Sequence, residues 1–463
     1  MRYVSTRGRA PELGFADVLL AGLADDGGLY VPAAWPSLPI IPVGASYAQA
    51  AAVVMTPFVG TDIPAEVLLA LCEDAYATFR HPAVCPLVQI GPNEWIAELF
   101  HGPTLAFKDV ALQLVGRLFD HVLGERGERV TIVGATSGDT GSAAIDGVKG
   151  GSNVDIVILY PHGRVSAVQR RQMTTVDASN VHAVAVDGTF DDCQDLVKAM
   201  FADVAFRNRM HLSAVNSINW ARVMAQVVYY VTSAMSLGGG VGRRPVNFAV
   251  PTGNFGNVLS GWVARQMGLP VDQLVIGSNR NDILTRWLHS GIMATSVVVP
   301  SLSPSMDIQV SSNVERLLFE LNHRDGGTTQ EQLAHFRHSG TLTVEPDQLD
   351  QLRELFVGAR VDDEATLAVM AEVHSSCGMV VDPHTAVGIG AARACRTDGE
   401  VPMITLATAH PAKFPDAVER AIGRRPELPE HLADLMSRNE RIVRVSNDLA
   451  AVQALVQQLV PAP

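Results

Sequence analysis

Residues 129–149 read RVTIVGATSGDTGSAAIDGVK, and this stretch decides the fold. It begins with an apolar, β-branched run from Arg129 to Ala135, which predicts a strand buried on both faces. A turn of small residues follows, and a helical pattern from Ser142 to Lys149 comes directly after the turn. A buried strand, a tight turn and a helix in this order are typical of one βα unit of a parallel sheet.

The same alternation continues along most of the chain. Further buried strands are predicted at Asp155 to Tyr160, Val181 to Val186, Val246 to Val250, Gln273 to Ile276 and Pro402 to Leu406. Helices are predicted between them at Val165 to Thr174, Phe190 to Asp203, Asn219 to Leu237, Asn257 to Met267 and His384 to Cys395. The pattern therefore predicts an α/β fold with mostly parallel sheets. The glycine-rich connection from Gly238 to Gly242 is expected to separate two α/β halves.

The two ends of this regular region differ from it. Residues 1–92 are interrupted by prolines and hold one clear amphipathic helix, Ala65 to Thr78, which predicts a small N-terminal domain. We expect residues 93–463 to hold the two α/β subdomains. Within them, residues 326–378 are more polar and helical, without strand alternation, and predict a helical insertion or the helical edge of a subdomain.

Composition excludes several classes of protein. The chain has 463 residues, of which 47% are hydrophobic and 18% charged, as expected for a globular enzyme of more than one domain. The five cysteines lack C-x-x-C spacing, which argues against a zinc site or a disulfide framework. A net charge of −13 argues against nucleic acid or an anionic membrane surface as partner. Because no long apolar stretch is present, we expect a cytoplasmic protein without a secretory signal or membrane helix.

One lysine stands out chemically. Residues 101–109 read HGPTLAFKD, so Lys108 lies between a turn-forming segment and an apolar, helix-forming run. Lysine is otherwise rare in this chain, where arginine supplies most basic side chains. An ammonium group can lose its proton when it is buried or close to positive charge, whereas a guanidinium does not. Lys108 is therefore a candidate nucleophile, and the alternative is a helix-start lysine that reaches solvent.

Two turns with similar sequences are candidates for binding anions. Gly134 to Ser142 and Pro251 to Asn257 each follow a predicted strand and open a predicted helix, with small residues that let the backbone approach an anion. Neither a dinucleotide motif nor a P-loop is present. The alternative is an ordinary βα turn with a helix cap.

A third segment at a strand end is Thr408 to Phe414. Thr408 follows the predicted strand Pro402 to Leu406, so it should lie at the carboxyl end of that strand. His410 has no second potential metal ligand at helical spacing, and we interpret it as a hydrogen-bonded or solvent-facing loop histidine. No metal site is expected.

Together with Val215 to Arg222 and Asp382 to Gly388, these segments resemble the threonine synthase family, in its longer form with a separate N-terminal domain. The resemblance runs in matching order from the first residues to about Val418. It implies a tryptophan-synthase-β-like, fold-type II fold that uses pyridoxal 5'-phosphate. It also implies conversion of the small-molecule substrate O-phospho-L-homoserine and water to L-threonine and phosphate, by γ-elimination and β-addition of water, as the last step of threonine biosynthesis.

The resemblance also implies roles for individual residues. Lys108 matches the lysine that holds the cofactor aldehyde as a Schiff base, and Thr408 matches the hydroxyl that faces the pyridine nitrogen. The cofactor phosphate would be bound by Gly253, Asn254, Phe255, Gly256 and Asn257. The substrate α-carboxylate would be bound by Thr136, Ser137, Gly138, Asp139 and Thr140, although many relatives have asparagine at the position of Asp139. Candidates for the substrate phosphate are Asn279, Arg316, Lys413 and Arg222, each with a salt bridge as its alternative.

Two other interpretations remain open from the sequence. Another lyase that uses pyridoxal phosphate, such as a serine/threonine dehydratase, would share the lysine and the glycine-rich turn but needs no second phosphate pocket. A catalytically silent relative would only bind phosphorylated ligands. The assembly is expected to be a monomer or a homodimer.

Overall fold

The computed structural model describes residues 1–136, 138–239 and 244–460. In chain order, the strands of these ranges are β1 (Tyr3–Ser5), β2 (Tyr30–Pro32), β3 (Leu87–Gly91), β4 (Glu94–Glu98), β5 (Val130–Ala135), β6 (Val154–Pro161), β7 (Val181–Asp187), β8 (Leu212–Ser213), β9 (Val246–Pro251), β10 (Val271–Ser278), β11 (Ile292–Ala294), β12 (Thr341–Thr343), β13 (Phe356–Arg360), β14 (Met403–Ala407) and β15 (Val443–Ser446).

The α-helices of the same ranges are α1 (Phe15–Ala21), α2 (Tyr47–Val59), α3 (Ala65–Tyr76), α4 (Lys108–Arg126), α5 (Asp139–Val148), α6 (Ala167–Thr174), α7 (Phe190–Ala202), α8 (Val204–Arg209), α9 (Trp220–Ser236), α10 (Gly256–Gln266), α11 (Ile283–Ser290), α12 (Val314–Leu321), α13 (Gly326–Ser339), α14 (Pro346–Arg353), α15 (Asp363–Cys377), α16 (Pro383–Cys395), α17 (Pro415–Ile422) and α18 (Leu449–Leu459). None of the helices in the described ranges is both long and apolar enough to cross a membrane.

Two sheets form the centres of the two α/β subdomains. The larger sheet has six strands in the order β13-β10-β9-β14-β4-β3 and is parallel except for β3, which pairs antiparallel with β4. The smaller sheet has five parallel strands in the order β15-β7-β6-β5-β8. Strands such as β6 and β9 are buried along their whole length, as expected when helices cover both faces of a parallel sheet.

The N-terminal part of the chain packs on the helices of the larger subdomain. β1 and β2 form an antiparallel pair, and α1, α2 and α3 follow. The buried ring of Trp220, at the start of α9, lies 6.0 Å from the ring of Tyr3 and 5.7 Å from that of Phe58. Aromatic contacts of this kind bury a large apolar area, so this packing ties the N-terminal elements to the frame of the sheets.

The strands and helices predicted from the sequence are confirmed, with end differences of a few residues. The interpretation of residues 326–378 as free of strands is wrong, because this stretch contains β12 and also β13, the edge strand of the larger sheet. β13, Phe356–Arg360, is short and alternates between buried and partly exposed residues. Because it also lies between two helices, its sequence was not recognised as a strand. Of the predicted glycine-rich connection, Gly240, Val241 and Gly242 lie outside the described residues.

Candidate active site

Three neighbouring strands of the larger sheet bring three functional segments to one edge. β4, β14 and β9 lie side by side and run parallel. Lys108 begins the helix that follows β4, Thr408 comes directly after β14, and the turn 251–257 comes directly after β9. Because the carboxyl ends of parallel strands meet at the same edge of a sheet, this topology gathers the three segments in the crevice where α/β proteins bind ligands.

Backbone hydrogen bonds hold Lys108 beside Thr408. The N–H of Phe107, the preceding residue, donates to the Thr408 carbonyl oxygen at 2.9 Å, and the N–H of His410 donates to the Leu105 carbonyl oxygen at 3.0 Å. The Lys108 side chain is only 12% exposed. The amine is therefore enclosed by the protein. This burial contradicts the alternative interpretation, in which Lys108 reaches solvent.

A buried carboxylate faces the Lys108 amine. Asp139 Oδ2 lies 3.5 Å from Lys108 Nζ, and its other oxygen, Oδ1, lies 2.8 Å from Lys413 Nζ. Gln169 Nε2 also donates to Asp139 Oδ1, at 2.9 Å, and Lys413 donates to the Thr104 carbonyl oxygen at 2.7 Å. Since Asp139 begins α5 beside the smaller sheet and Lys413 follows the larger one, this ion cluster joins the two subdomains at the site.

The surroundings of Lys108 lower the pKa of its amine. Burial lowers the pKa of Lys108 below its ordinary value, and the positive charges of Lys413 and Arg222 lower it further, while Asp139 opposes both. Burial alone would raise the pKa of Asp139, but the charges of Lys413 and Lys108 lower it well below its usual range. The site therefore contains a stable carboxylate and a lysine that gives up its proton more readily than a free lysine.

The Thr136 side chain forms hydrogen bonds within the turn 134–142. Thr136 Oγ1 accepts the N–H groups of Gly138 at 3.0 Å and Gly141 at 2.9 Å, so this hydroxyl caps the start of α5. Gly138 has a φ of +153°, and a Cβ there would lie 2.5 Å from the Gln169 side chain, so the position requires glycine. Thr140 is partly buried in the first turn of α5. Ser137 lies outside the described residues.

The turn 251–257 leaves backbone donors available at the start of α10. The Gly253 carbonyl oxygen accepts the Ser311 hydroxyl at 2.7 Å, and the Asn254 carbonyl oxygen accepts the Asn313 side chain at 3.0 Å. Phe255 has a φ of +62° and immediately precedes Gly256, the first residue of α10. With its carbonyl groups bonded elsewhere, the turn presents the N–H groups that begin a helix, and these are good ligands for a phosphate.

Three of the four candidates for the substrate phosphate, Asn279, Arg316 and Lys413, are bonded within the protein, whereas Arg222 Nε and Nη1 have no hydrogen-bond partner among the described residues. Arg316 Nε donates to the Tyr30 carbonyl oxygen at 3.0 Å and Nη2 to the Ile218 carbonyl oxygen at 2.6 Å. Asn279 Nδ2 is shared among Ser301, Ser303 and Asp307. Lys413 belongs to the ion cluster with Asp139. The structure places Arg316 beside the turn 251–257 through Asn313, and the assignment of Asn279, Arg316 and Lys413 to the substrate stays a prediction.

Sequence comparisons identify the family. Residues 2–76 match the family model "Threonine synthase N terminus", residues 86–338 match "Pyridoxal-phosphate dependent enzyme", and residues 385–456 match "Threonine synthase, C-terminal". A protein from Pseudomonas aeruginosa named threonine synthase is 56% identical, in an alignment that covers 99% of this chain and 98% of that protein. The chain belongs to the threonine synthase family.

Solved structures of threonine synthases have the same fold. The structure of threonine synthase from Brucella melitensis with bound PLP has a TM-score of 0.97 and 52% identity and covers 100% of both chains. The yeast threonine synthase has a TM-score of 0.93 and 39% identity and covers 99% of this chain and 98% of that chain. The prediction of a fold-type II enzyme with two mostly parallel α/β subdomains and an N-terminal domain is confirmed.

Some residues of this threonine synthase site were not predicted from the sequence. Gln169 contacts Asp139, and Thr104 provides the carbonyl oxygen that accepts from both Lys413 and Gln172. Gln169 lies outside the segments singled out in the sequence and Thr104 lies within residues 101–109, but both act through contacts that only the folded chain creates. Lys413 was predicted as a candidate for the substrate phosphate, but its ion pair with Asp139 was not predicted.

Proposed function

We propose that the protein is a threonine synthase that converts O-phospho-L-homoserine and water to L-threonine and inorganic phosphate. The observation that carries this proposal is the 56% identity to the Pseudomonas aeruginosa enzyme over nearly the whole of both chains. The geometry agrees with this function, because an enclosed amine and the turn assigned to a phosphate lie at one edge of the larger sheet. The protein is accordingly a lyase of amino-acid biosynthesis.

The residues at this edge fit pyridoxal 5'-phosphate. Lys108 would hold the coenzyme covalently through its aldehyde, and the N–H groups of the turn from Gly253 to Asn257 would bind its phosphate. A Cβ at Gly253 would lie 2.6 Å from the carbonyl oxygen of Ser305, so only glycine fits at this position of the turn. When bound, the coenzyme supplies an electron sink that stabilises negative charge on the substrate carbon next to its amine.

Lys108 would also move the protons of the reaction. With substrate bound, Lys108 Nζ would be the base that removes the proton from the α-carbon and then one from the β-carbon. The lowered pKa of Lys108 favours this role, because an ordinary lysine amine is protonated near neutral pH. Asp139 and Lys413 would orient the amine and keep the surrounding charge in balance.

Thr408 would bind the pyridine nitrogen through a neutral hydroxyl. Its side chain is buried at the carboxyl end of β14, next to the Lys108 segment. A hydroxyl, unlike an aspartate, does not hold that nitrogen in its protonated form. A neutral hydroxyl at this position would limit the negative charge withdrawn into the pyridine ring. It would therefore favour elimination and addition over side reactions.

The substrate itself presents two anionic groups. We assign its α-carboxylate to the turn formed by Thr136, Ser137, Gly138, Asp139 and Thr140, where the N–H groups at the start of α5 are the donors. The carboxylate of Asp139 is held by Lys108 and Lys413, so its charge need not repel the substrate. The substrate phosphate is assigned to Asn279, Arg316 and Lys413 as candidates.

One assay tests the proposed function. The purified protein should release phosphate from O-phospho-L-homoserine and form threonine, and removal of pyridoxal phosphate should abolish this reaction until the coenzyme is added back. L-serine and L-threonine serve as comparison substrates in the same assay. If a 2-oxo acid forms from either of them while phosphohomoserine is left unchanged, the protein is a dehydratase and the proposal fails.

We further propose a division into an N-terminal domain, residues 1–92, and a catalytic region, residues 93–463, with a mainly helical segment at about 326–378. β3 precedes this boundary and pairs with β4 beyond it, so the N-terminal domain would be joined to the larger sheet by its last strand. We also propose a cytoplasmic protein that acts as a monomer or a homodimer, without nucleic acid or membrane partners. Size-exclusion chromatography with light scattering tests the assembly state.

A further inference from the structure

Asp109 is a buried carboxylate to which the proposed reaction gives no role. It is the second residue of α4, directly after Lys108, and its side chain is fully enclosed. Among residues 1–136, 138–239 and 244–460, no cation forms an ion pair with it, and its hydrogen-bond donors all belong to Thr104. Because a charged carboxylate is costly to bury without a paired cation, a chain that keeps one beside the reactive lysine is expected to use it.

Asp109 holds the turn that precedes Lys108. Its Oδ2 accepts the backbone N–H of Thr104 at 2.8 Å, and its Oδ1 accepts the Thr104 hydroxyl at 2.6 Å. The turn packs closely on the carboxylate, since a Cβ at Gly102 would lie 2.5 Å from the Asp109 Cβ. Both carboxylate oxygens act as acceptors, which is the bonding pattern of a charged aspartate.

The same turn holds the cation beside the reactive lysine. The Thr104 carbonyl oxygen accepts a hydrogen bond from Lys413 Nζ at 2.7 Å. Lys413 also pairs with Asp139, which faces the Lys108 amine, and the charge of Lys413 lowers the pKa of Lys108. The contacts of Asp109 with Thr104 therefore lead to the cation that acts on Lys108.

We propose that Asp109 is a positioning residue that, in its charged form, fixes Thr104 and so holds Lys413 beside the Lys108 amine. Protonation of Asp109 places a hydrogen atom on an oxygen that now accepts a bond, so it loosens the turn and the contact with Lys413. This inference rests on the proposed function, because it concerns how pH changes the reaction assigned to Lys108.

The groups around Asp109 place its protonation in the neutral range. Burial raises the pKa of Asp109, and so does the charge of Asp146 on α5. The two bonds from Thr104 and the charge of Lys413 oppose this rise, and the pKa is raised from 3.8 to about 7. His431 is the titratable group that faces the same turn from the C-terminal segment. Asp109 is accordingly charged above about pH 7 and protonated below it.

Asp109→Asn is the informative variant. Asparagine has the same shape and keeps a contact with both the N–H and the hydroxyl of Thr104, but it has no charge. The holoenzyme is assayed with phosphohomoserine at pH 8 and pH 6. Over this interval the charged fraction of Asp109 falls by about tenfold, so kcat/KM of the wild-type enzyme should fall by this factor beyond the contribution of Lys108.

The factor should be missing from the variant. At pH 8, kcat/KM of Asp109→Asn should be at least about tenfold below that of the wild-type enzyme, and its decrease from pH 8 to pH 6 should be about tenfold smaller. An equal decrease in the two proteins would overturn the proposal.

Thr104 provides a matched pair of variants whose effect does not depend on how Asp109→Asn folds. Thr104→Val removes the hydroxyl that bonds to the charged carboxylate, so the decrease of kcat/KM should move to higher pH by about one unit. Thr104→Ser keeps the hydroxyl and should follow the wild-type profile. A shift in both variants or in neither would contradict the proposal.

His431→Asn is the control for the other titratable group at the turn. The tenfold decrease should persist in this variant. Its loss would assign the decrease to His431 and would refute the role of Asp109.

Stability provides an independent readout. Because the folded protein raises the pKa of Asp109 to about 7, protonated Asp109 contributes stability at low pH that is lost as the pH rises through 7. The melting temperature of Asp109→Asn relative to the wild-type protein should therefore be higher at pH 8 than at pH 5. An equal difference at both pH values would show that Asp109 does not titrate in this range, and the proposal would be wrong.

The two proposals fail in different ways. Wild-type protein that converts phosphohomoserine to threonine, with the same pH profile as Asp109→Asn, would refute this inference alone. Wild-type protein that leaves phosphohomoserine unchanged at every pH would refute the proposed function and this inference with it.

Discussion

The turns 134–142 and 251–257 have similar sequences but differ in how they balance charge. In the first turn, the Asp139 carboxylate is bonded to Lys108 and Lys413, and the Thr136 hydroxyl caps its own helix. In the second turn, the Gly253 and Asn254 carbonyl groups are bonded to Ser311 and Asn313, while the Asn257 side-chain amide nitrogen has no hydrogen-bond partner within the described residues.

This difference assigns different tasks to two turns that a sequence pattern cannot tell apart. The turn 134–142 carries its own anion, so its charges are balanced in the free protein and its Asp139 carboxylate holds the Lys108 amine. The turn 251–257 has donors but no acid, so it needs an anion from outside, as a binding loop for a phosphate does. Each prediction below changes one side of this comparison.

The largest effect is expected from Lys108→Ala, which removes the group that both turns surround. Turnover and covalent attachment of the coenzyme should be abolished, because alanine has no amine for either the bond or the proton transfers. Circular dichroism should show an unchanged fold. Lys198→Ala, which removes a lysine that is 72% exposed, is the control and should retain full activity. A chromophore reducible by borohydride in Lys108→Ala would contradict the assignment.

Asp139→Asn removes the internal anion of the first turn. The free energy of unfolding of the apoprotein should fall by about 3–5 kcal/mol, since Lys108 and Lys413 lose the counterion that they share. Urea unfolding measures this change. The double variant Asp139→Asn/Lys413→Met, which also removes one of the two cations, should recover part of the loss. If the double variant is less stable than the single one, the charges are not coupled as the contacts indicate.

Gly253→Ala and Gly134→Ala form a matched pair, one glycine from each turn. A Cβ at Gly253 would lie 2.6 Å from the Ser305 carbonyl oxygen, whereas one at Gly134 would lie 3.2 Å from a terminal methyl of Ile158. Because a backbone oxygen cannot move aside as a side chain can, Gly253→Ala should cost about 1–3 kcal/mol of stability and weaken coenzyme binding.

For Gly134→Ala we expect less than about 1 kcal/mol and unchanged coenzyme affinity. Thermal unfolding and titration of the apoprotein with pyridoxal phosphate measure both quantities. Equal losses of coenzyme affinity in the two variants would show that the second turn has no special role in binding the coenzyme.

His410, between Thr408 and Lys413, gives the smallest effect. Its Nδ1 accepts the Ala412 N–H at 3.1 Å, which confirms a hydrogen-bonded loop histidine, and burial lowers its pKa from 6.5 to about 4. Between these pH values the unfolded chain binds the proton and the folded protein does not, so stability should decrease as the pH falls from 6.5 to 4. His410→Asn should remove part of this decrease, which the shift of the pKa limits to about 3 kcal/mol, as urea unfolding at both pH values would measure. An identical pH dependence in the variant would contradict the assignment.

The fold was predictable where its signals are local. Strands such as β5 and β6 are continuous apolar runs because helices cover both of their faces, and such runs are visible in the sequence. β15 was missed because Val443–Ser446 is short and alternates between partly buried and exposed residues. It also pairs with β7, which lies far away along the chain. Pairing at that distance leaves no pattern in the segment itself.

The candidate site, like the fold, was predictable where its residues lie in local sequence segments. Lys108, Thr408 and both turns each lie in a local segment with recognisable chemistry, and strand order brings three of them to one edge. The contact of Gln169 with Asp139 depends on the packing of α6 against α5 and is not encoded near either residue. The absence of a hydrogen-bond partner for Arg222 Nε and Nη1 among the described residues is likewise a property of the folded chain, since a sequence shows an arginine but not its contacts.

The most direct test of the account is to locate the coenzyme on the chain. The protein is reduced with borohydride in the presence of pyridoxal phosphate, digested, and analysed by peptide mass spectrometry. The account predicts that the reduced pyridoxyl-phosphate group is on the peptide that contains Lys108, and that Lys149, Lys198 and Lys413 are unmodified. Modification of another lysine with Lys108 unmodified, or no modification of any lysine, would contradict it.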